Sequence, residues 1–107
     1  MGAGGGSNPS LGVQFPRNPG QIKHIFRKKT GHLSEDTFQN RKLFLDTAND
    51  KRNYRGKDNN DVEWYDRIES NGSQTWVKVK NNIISDAGVN KNPRVCNDTT
   101  GFNRNPD

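Results

Sequence analysis

His24 and His32 are the only imidazoles in the chain, and they flank Arg27, Lys28 and Lys29. Histidine is the side chain poised to move protons near neutral pH. A base and an acid beside a cationic cluster suit phosphodiester cleavage. The base takes the proton of a ribose 2′-hydroxyl, and the cations stabilise the charge that builds on phosphorus. His24, His32 and Lys28 are therefore candidate catalytic residues, with Arg27 as a phosphate contact. The plain alternative is a pair of surface histidines in a basic loop.

A second group lies further along. Tyr65, Arg67, Trp76, Lys78 and Lys80 interleave aromatics with cations, a mixture that stacks bases and holds phosphates. The competing reading buries Trp76 under another element. Arg94 and Thr100 fall in the C-terminal loops, where a guanidinium and a hydroxyl could hold a scissile phosphate. Cys96 is the single cysteine, more readily a small buried residue than a nucleophile. One cysteine, two histidines and no acidic cluster of convincing spacing argue against a metal site, and no cofactor motif is present.

The elements that must position these residues follow from pattern. Residues 34–49 read as a helix with Ser34 as N-cap, Glu35 and Asp36 in the first turn, and Leu33 and Phe38 as a hydrophobic staple. A shorter helix is possible over 20–29. Val62–Glu69 and Gln74–Lys80 alternate around Asn71-Gly72, the strongest short hairpin signal. A two-residue turn there would oppose Arg67 with Trp76 and Tyr65 with Lys78 on an open face. Trp64, Asp66 and Ile68 would then lie with Thr75, Val77 and Val79 on the core face. A third strand begins at Ile83, and a short fourth is possible near Arg94–Cys96. The expected fold is α+β: one or two N-terminal helices packed on an antiparallel sheet of three to four strands, with the opposite sheet face left to solvent or substrate.

Composition bounds the rest. The 107 residues carry 27% hydrophobic and 27% charged side chains, and mean hydropathy is −1.17, so one domain with a small core is expected. No run is long and apolar enough to span a membrane, and no signal-peptide pattern opens the chain. Residues 1–20, rich in Gly and Pro, read as a flexible leader or linker, and 21–107 as the folded domain. Leu11, Val13 and Phe15 alternate, so that piece could instead dock as a strand. The net charge of +5 is uneven: residues 21–57 hold +6, and 58–107 hold −2. The positive field belongs to the segment with both histidines, which favours a polyanionic partner.

The stretch KHIFRKKTGHLSEDTFQNRKLFLDTAND, followed by WYDRIESNGSQTWVKVKNNIISDAGVNKNPR and DTTGF, resembles the C-terminal toxin domains of bacterial polymorphic toxins. Such domains end contact-dependent inhibition, Rhs and LXG proteins. The resemblance covers about residues 21–102. It implies a ribonuclease of the barnase/EndoU/colicin/RelE group, metal-independent and with a microbial ribonuclease-like fold. It also implies a dedicated immunity protein. His24 and His32 match the motif positions, Gln74, Trp76 and Val77 match a QxWV-like strand, and Arg94 an NPR-like turn. Asp86-Ala87-Gly88 departs from a Gly-rich turn, and Val95-Cys96-Asn97 is atypical.

The function expected from residues and resemblance together is endoribonuclease action on RNA, with tRNA a candidate, by transesterification to a 2′,3′-cyclic phosphate. The toxin would be delivered as part of a larger secreted protein, act in the target-cell cytoplasm, be a monomer when free and meet an acidic immunity protein. His24, His32, Lys28 and Arg94 are the expected catalytic residues. Arg27, Tyr65, Arg67, Gln74, Trp76, Lys78 and Thr100 are the expected substrate contacts, with no metal and no cofactor. A non-catalytic module that binds nucleic acid or protein is one alternative, and a DNase toxin the other.

Overall fold

The computed structural model describes residues 12–97 and 99–102. Most of the Gly-rich leader, Leu11, and Asp98 of the DTTGF motif lie outside the described residues. The fold is α+β. Two helices, α1 (Pro19–Ile25) and α2 (Phe38–Ala48), precede four strands, β1 (Tyr54–Lys57), β2 (Glu63–Ile68), β3 (Gln74–Lys80) and β4 (Ile83–Asn90), and a short hairpin, β5 (Cys96–Asn97) with β6 (Gly101–Phe102), follows. The main sheet is antiparallel in the order β1-β2-β3-β4. α1 packs on β4 and α2 on β3. No helix among the described residues is long and apolar enough to cross a membrane.

Both helices start where a side chain satisfies the orphan N–H groups. The Asn18 carboxamide accepts from the Gly20 and Gln21 amides at 2.8 and 3.2 Å, and Pro19 opens the first turn. For α2 the cap is Thr37, whose hydroxyl accepts from the Asn40 amide at 3.1 Å, and not Ser34 as the sequence suggests. Asp36 is drawn off to Arg41 at 2.6 Å. Phe38 is 76% exposed, so it forms no staple, and Leu33 packs on the core.

Residues 12–15, read from sequence as leader, pack against the domain. The Asn49 side chain that follows α2 accepts from the Gly12 and Val13 amides, both at 2.7 Å. Gln14 then bridges to Ile83 in parallel. Val13 is buried, and Phe15 stacks on Phe26 with centroids 6.0 Å apart. The strand-like docking suggested by the Val13/Phe15 alternation is thus present along the edge of β4.

The β2–β3 hairpin forms, but its register is one residue away from expectation. The Glu69 amide donates to the Ser73 carbonyl at 2.8 Å and the Gly72 amide to the Glu69 carbonyl at 2.9 Å. Three residues therefore form the loop, with Gly72 at φ +89°. The Asn71 side chain accepts from both the Ser73 amide and hydroxyl, which draws Asn71 out of a two-residue turn. Tyr65 now opposes Val77 and Asp66 opposes Trp76. Because side chains alternate with a period of two, the slip reassigns β2 as a whole. Tyr65 belongs to the core, and Trp64 to the other face.

The core lies between helices and sheet. Ile25, Phe26, Phe44 and Ala48 meet Tyr65, Val77, Val79, Ile84 and Ala87, with Tyr54 packed beside Tyr65. The second face is not open along its whole length. Trp64, Trp76 and Val62 form a separate apolar cluster, covered by Cys96 and Phe102 of the C-terminal hairpin.

Candidate functional site

A cleft of about 330 Å³ opens on this second face, between the Lys29–His32 turn and the C-terminal segment. Trp76, Lys78, Asp86 and Asn90 come to it from β3 and β4, and Arg94, Thr100 and Phe102 close the far side. The turn can approach β4 because residue 88 is glycine. A Cβ there would collide with the Gly31 carbonyl. That carbonyl accepts from the Trp76 indole at 3.0 Å, and the His32 ring meets Trp76 edge-on at 5.2 Å.

Asp86 organises one wall. Its carboxylate is about nine-tenths buried and lies 3.5 Å from His24 Nε2 and 3.8 Å from His32 Nδ1. The Arg27 guanidinium faces both oxygens, at 3.3 and 3.4 Å, and donates at 2.6 Å to the His24 carbonyl. The Ala87 amide donates to the same carboxylate at 3.0 Å. One buried anion thus pairs with Arg27 and has both imidazoles beside it.

The histidines are unequal. The His24 side chain is half exposed, whereas that of His32 is 4% exposed. His32 Nδ1 donates to the Ile25 carbonyl at 3.2 Å; a carbonyl only accepts, so the proton sits on Nδ1 in the neutral ring. Burial lowers the His32 pKa below the ordinary histidine value. Asp86 and the backbone at Ile25 and Ala87 oppose that, and Arg27 adds to it. His32 is therefore neutral at pH 7.

A pH dependence follows. The unfolded chain binds a proton on His32 at a higher pH than the folded chain does, so folding stability is retained above about pH 6.5 and declines as pH falls below it. Denaturant midpoints at pH 7.5 and 5.5 should show this decline in the native protein and a smaller one in His32→Gln. An equal decline in both would mean that other groups set the dependence.

The expected residues separate into three groups. His32, Trp76, Lys78, Arg94 and Thr100 line the cleft, and His24 and Arg27 meet its wall through Asp86. Lys28 is exposed and does not line the cleft. Tyr65 is fully buried on the core face, and desolvation with the nearby Glu63 charge pushes its phenol well above the ordinary tyrosine value, so its place is structural. Arg67 is paired with Glu69 at 3.1 Å on the Tyr65 side of the sheet. Gln74 is 2% exposed, with its amide committed to protein groups.

Trp76 is 7% exposed. Trp64 stacks on it at 6.1 Å, and Phe102 meets it edge-on at 5.6 Å. Its surroundings fit a buried support for His32 and the Gly31 turn better than a base platform.

Sequence reasoning missed Asp86, Asn90, Trp64 and Phe102 as parts of the cleft, and named Lys29 only within the cationic cluster. For Asp86 a signal existed: it is the one charged residue between Ile83 and Val89. Among the described residues no group of three or more His, Cys, Asp or Glu is placed to hold a metal ion. The chain matches no family model, and no curated protein or solved structure matches it. The chemistry of the cleft rests on its own residues.

Proposed function

We propose that the chain is a metal-independent endoribonuclease domain of the polymorphic-toxin kind. The observation that supports this most strongly is the gathering of His24, His32 and Arg27 on one buried carboxylate, Asp86, at the wall of a cleft lined by Lys29, Lys78 and Arg94. His24, the accessible imidazole, takes the proton of the 2′-hydroxyl. The 2′-oxygen attacks phosphorus, the bond to the 5′-oxygen breaks, and that oxygen leaves with a proton from solvent. A 2′,3′-cyclic phosphate and a 5′-hydroxyl result. Asp86 lies against the His24 imidazole and orients it, and the cations stabilise the phosphorane. The sequence resemblance adds the biological setting: delivery as the C-terminal part of a larger bacterial toxin, action on RNA such as tRNA in a target cell, and an immunity protein. That partner should be acidic, since complementary potentials speed encounter and enforce specificity.

A second reading, a nucleic-acid-binding module without catalysis, draws on the burial of His32. Incubation of the purified chain with total RNA and with DNA, both in excess EDTA, separates the possibilities. Shortened RNA and intact DNA are expected. RNA that is bound but left whole points to the binding module. Activity that stops in EDTA and returns with magnesium overturns the mechanism.

A further inference from the structure

The geometry points to Gln74 as the positioning residue that sets Arg94 at the cleft, an assignment that rests on the nucleic-acid reading of the cleft above. A glutamine side chain has two N–H donors and a carbonyl with two lone pairs. At Gln74 all four capacities are filled by protein. Nε2 donates to Asp66 Oδ2 at 3.0 Å and to the Arg94 carbonyl at 2.9 Å. Oε1 accepts from Asn90 Nδ2 at 2.9 Å and from the Arg94 amide at 3.0 Å. Nothing remains for a substrate.

Two of the four bonds go to the main chain of Arg94, one to its N–H and one to its C=O. The side-chain amide acts there as a peptide group would in a strand pair, although residue 94 lies outside every strand. Pro93 restricts the backbone just before it. With its backbone held, the Arg94 side chain lies 5.6 Å over the Phe102 ring and lines the cleft.

The orientation of the amide is itself imposed. Asp66 is buried and accepts from Arg55 Nε at 2.7 Å. As a carboxylate it can only accept from its other neighbour too, so Gln74 must turn Nε2 toward it. Asn90 presents Nδ2 to Oε1 from the other side. A hydrogen-bonded row therefore crosses the sheet, with Arg55 on β1, Asp66 on β2, Gln74 on β3 and Asn90 on β4. It fixes the amide in the one orientation that matches both polar groups of the Arg94 main chain. Buried networks of this kind specify a geometry because any partial break leaves groups unsatisfied.

The test is binding of an uncleavable 2′-O-methyl single-stranded oligonucleotide by the full chain, measured against salt, with hydrogen exchange of the Arg94 amide alongside. Arg94→Ala should lower the slope of log affinity against log salt by about 0.7, the loss of one phosphate contact on a single strand. Gln74→Met, of similar size but with no amide, should lower the slope equally and speed exchange at Arg94. The double variant should lose no more than either single one. Should Gln74→Met fail to fold, Gln74→Asn replaces it: the amide is kept, but one methylene too short to span Asp66 and Arg94, and the same loss is expected. A native slope in the folded Gln74 variant, with Arg94→Ala reduced, overturns the positioning role and leaves the cleft reading standing. A native slope in Arg94→Ala removes the phosphate contact itself, and the cleft reading falls with it.

Discussion

Replacing His24 with alanine should lower RNA cleavage by about 10²–10⁴-fold, the usual contribution of a positioned proton-transfer group, while folding stability stays within about 0.5 kcal/mol of the native value. The basis is its exposure and its partner. The imidazole is half in solvent, and Nε2 lies 3.5 Å from a carboxylate that is itself nearly buried. Asp86→Asn should reduce cleavage as well, because it disrupts the carboxylate that faces both the His24 imidazole and the Arg27 guanidinium. His32→Ala behaves differently: its ring is buried and wedged against Trp76, so stability falls together with activity. Steady-state cleavage paired with denaturant unfolding tells these cases apart. If His24→Ala retains native turnover, His24 does not transfer the proton, and the Asp86 cluster is an ion-pair network of the wall.

The second large effect concerns stability. Trp76→Ala should cost about 3–5 kcal/mol, as truncation of a buried aromatic does, out of the ~5–15 kcal/mol available to a small domain. The indole touches Trp64, Phe102 and His32 and donates to the Gly31 carbonyl. Its loss opens a cavity and also frees the turn that carries His32. Trp76→Phe keeps much of the packing and should cost less. Equilibrium unfolding in urea provides the measurement. A variant of native stability with reduced RNA affinity would return Trp76 to the role of a base-stacking platform.

Much of the architecture is legible because it rests on local signals. The body of α2, the turn at Asn71-Gly72, the alternation of β2 and β3 and the start of β4 are all written in short patterns. The register is not, because it depends on which atom takes the Ser73 amide hydrogen. The Asn71 carboxamide does so, and that choice moves Tyr65 inward and brings Trp64 to the cleft face. Of the C-terminal cover the sequence suggests only a short strand near Arg94–Cys96, and not its pairing, since β5 and β6 are two residues each. The paired histidines around a basic run were visible from residue type alone. Their common partner was not, because Asp86 lies far along the chain, at β4, and meets them only when α1 packs on that strand. The same separation hid Gln74 from Arg94. Both are chemically expressive residues, but only the folded sheet shows that one is spent holding the other.

The ends left on a cleaved RNA test the central claim most directly. A short RNA cut by the chain in EDTA, analysed by mass, should yield a 2′,3′-cyclic phosphate on one fragment and a 5′-hydroxyl on the other. The same RNA with a single 2′-deoxy sugar just before the scissile phosphate should be left whole at that site. Fragments ending in a 3′-hydroxyl and a 5′-phosphate, or cleavage of the 2′-deoxy substrate, would contradict transesterification driven by proton transfer at His24.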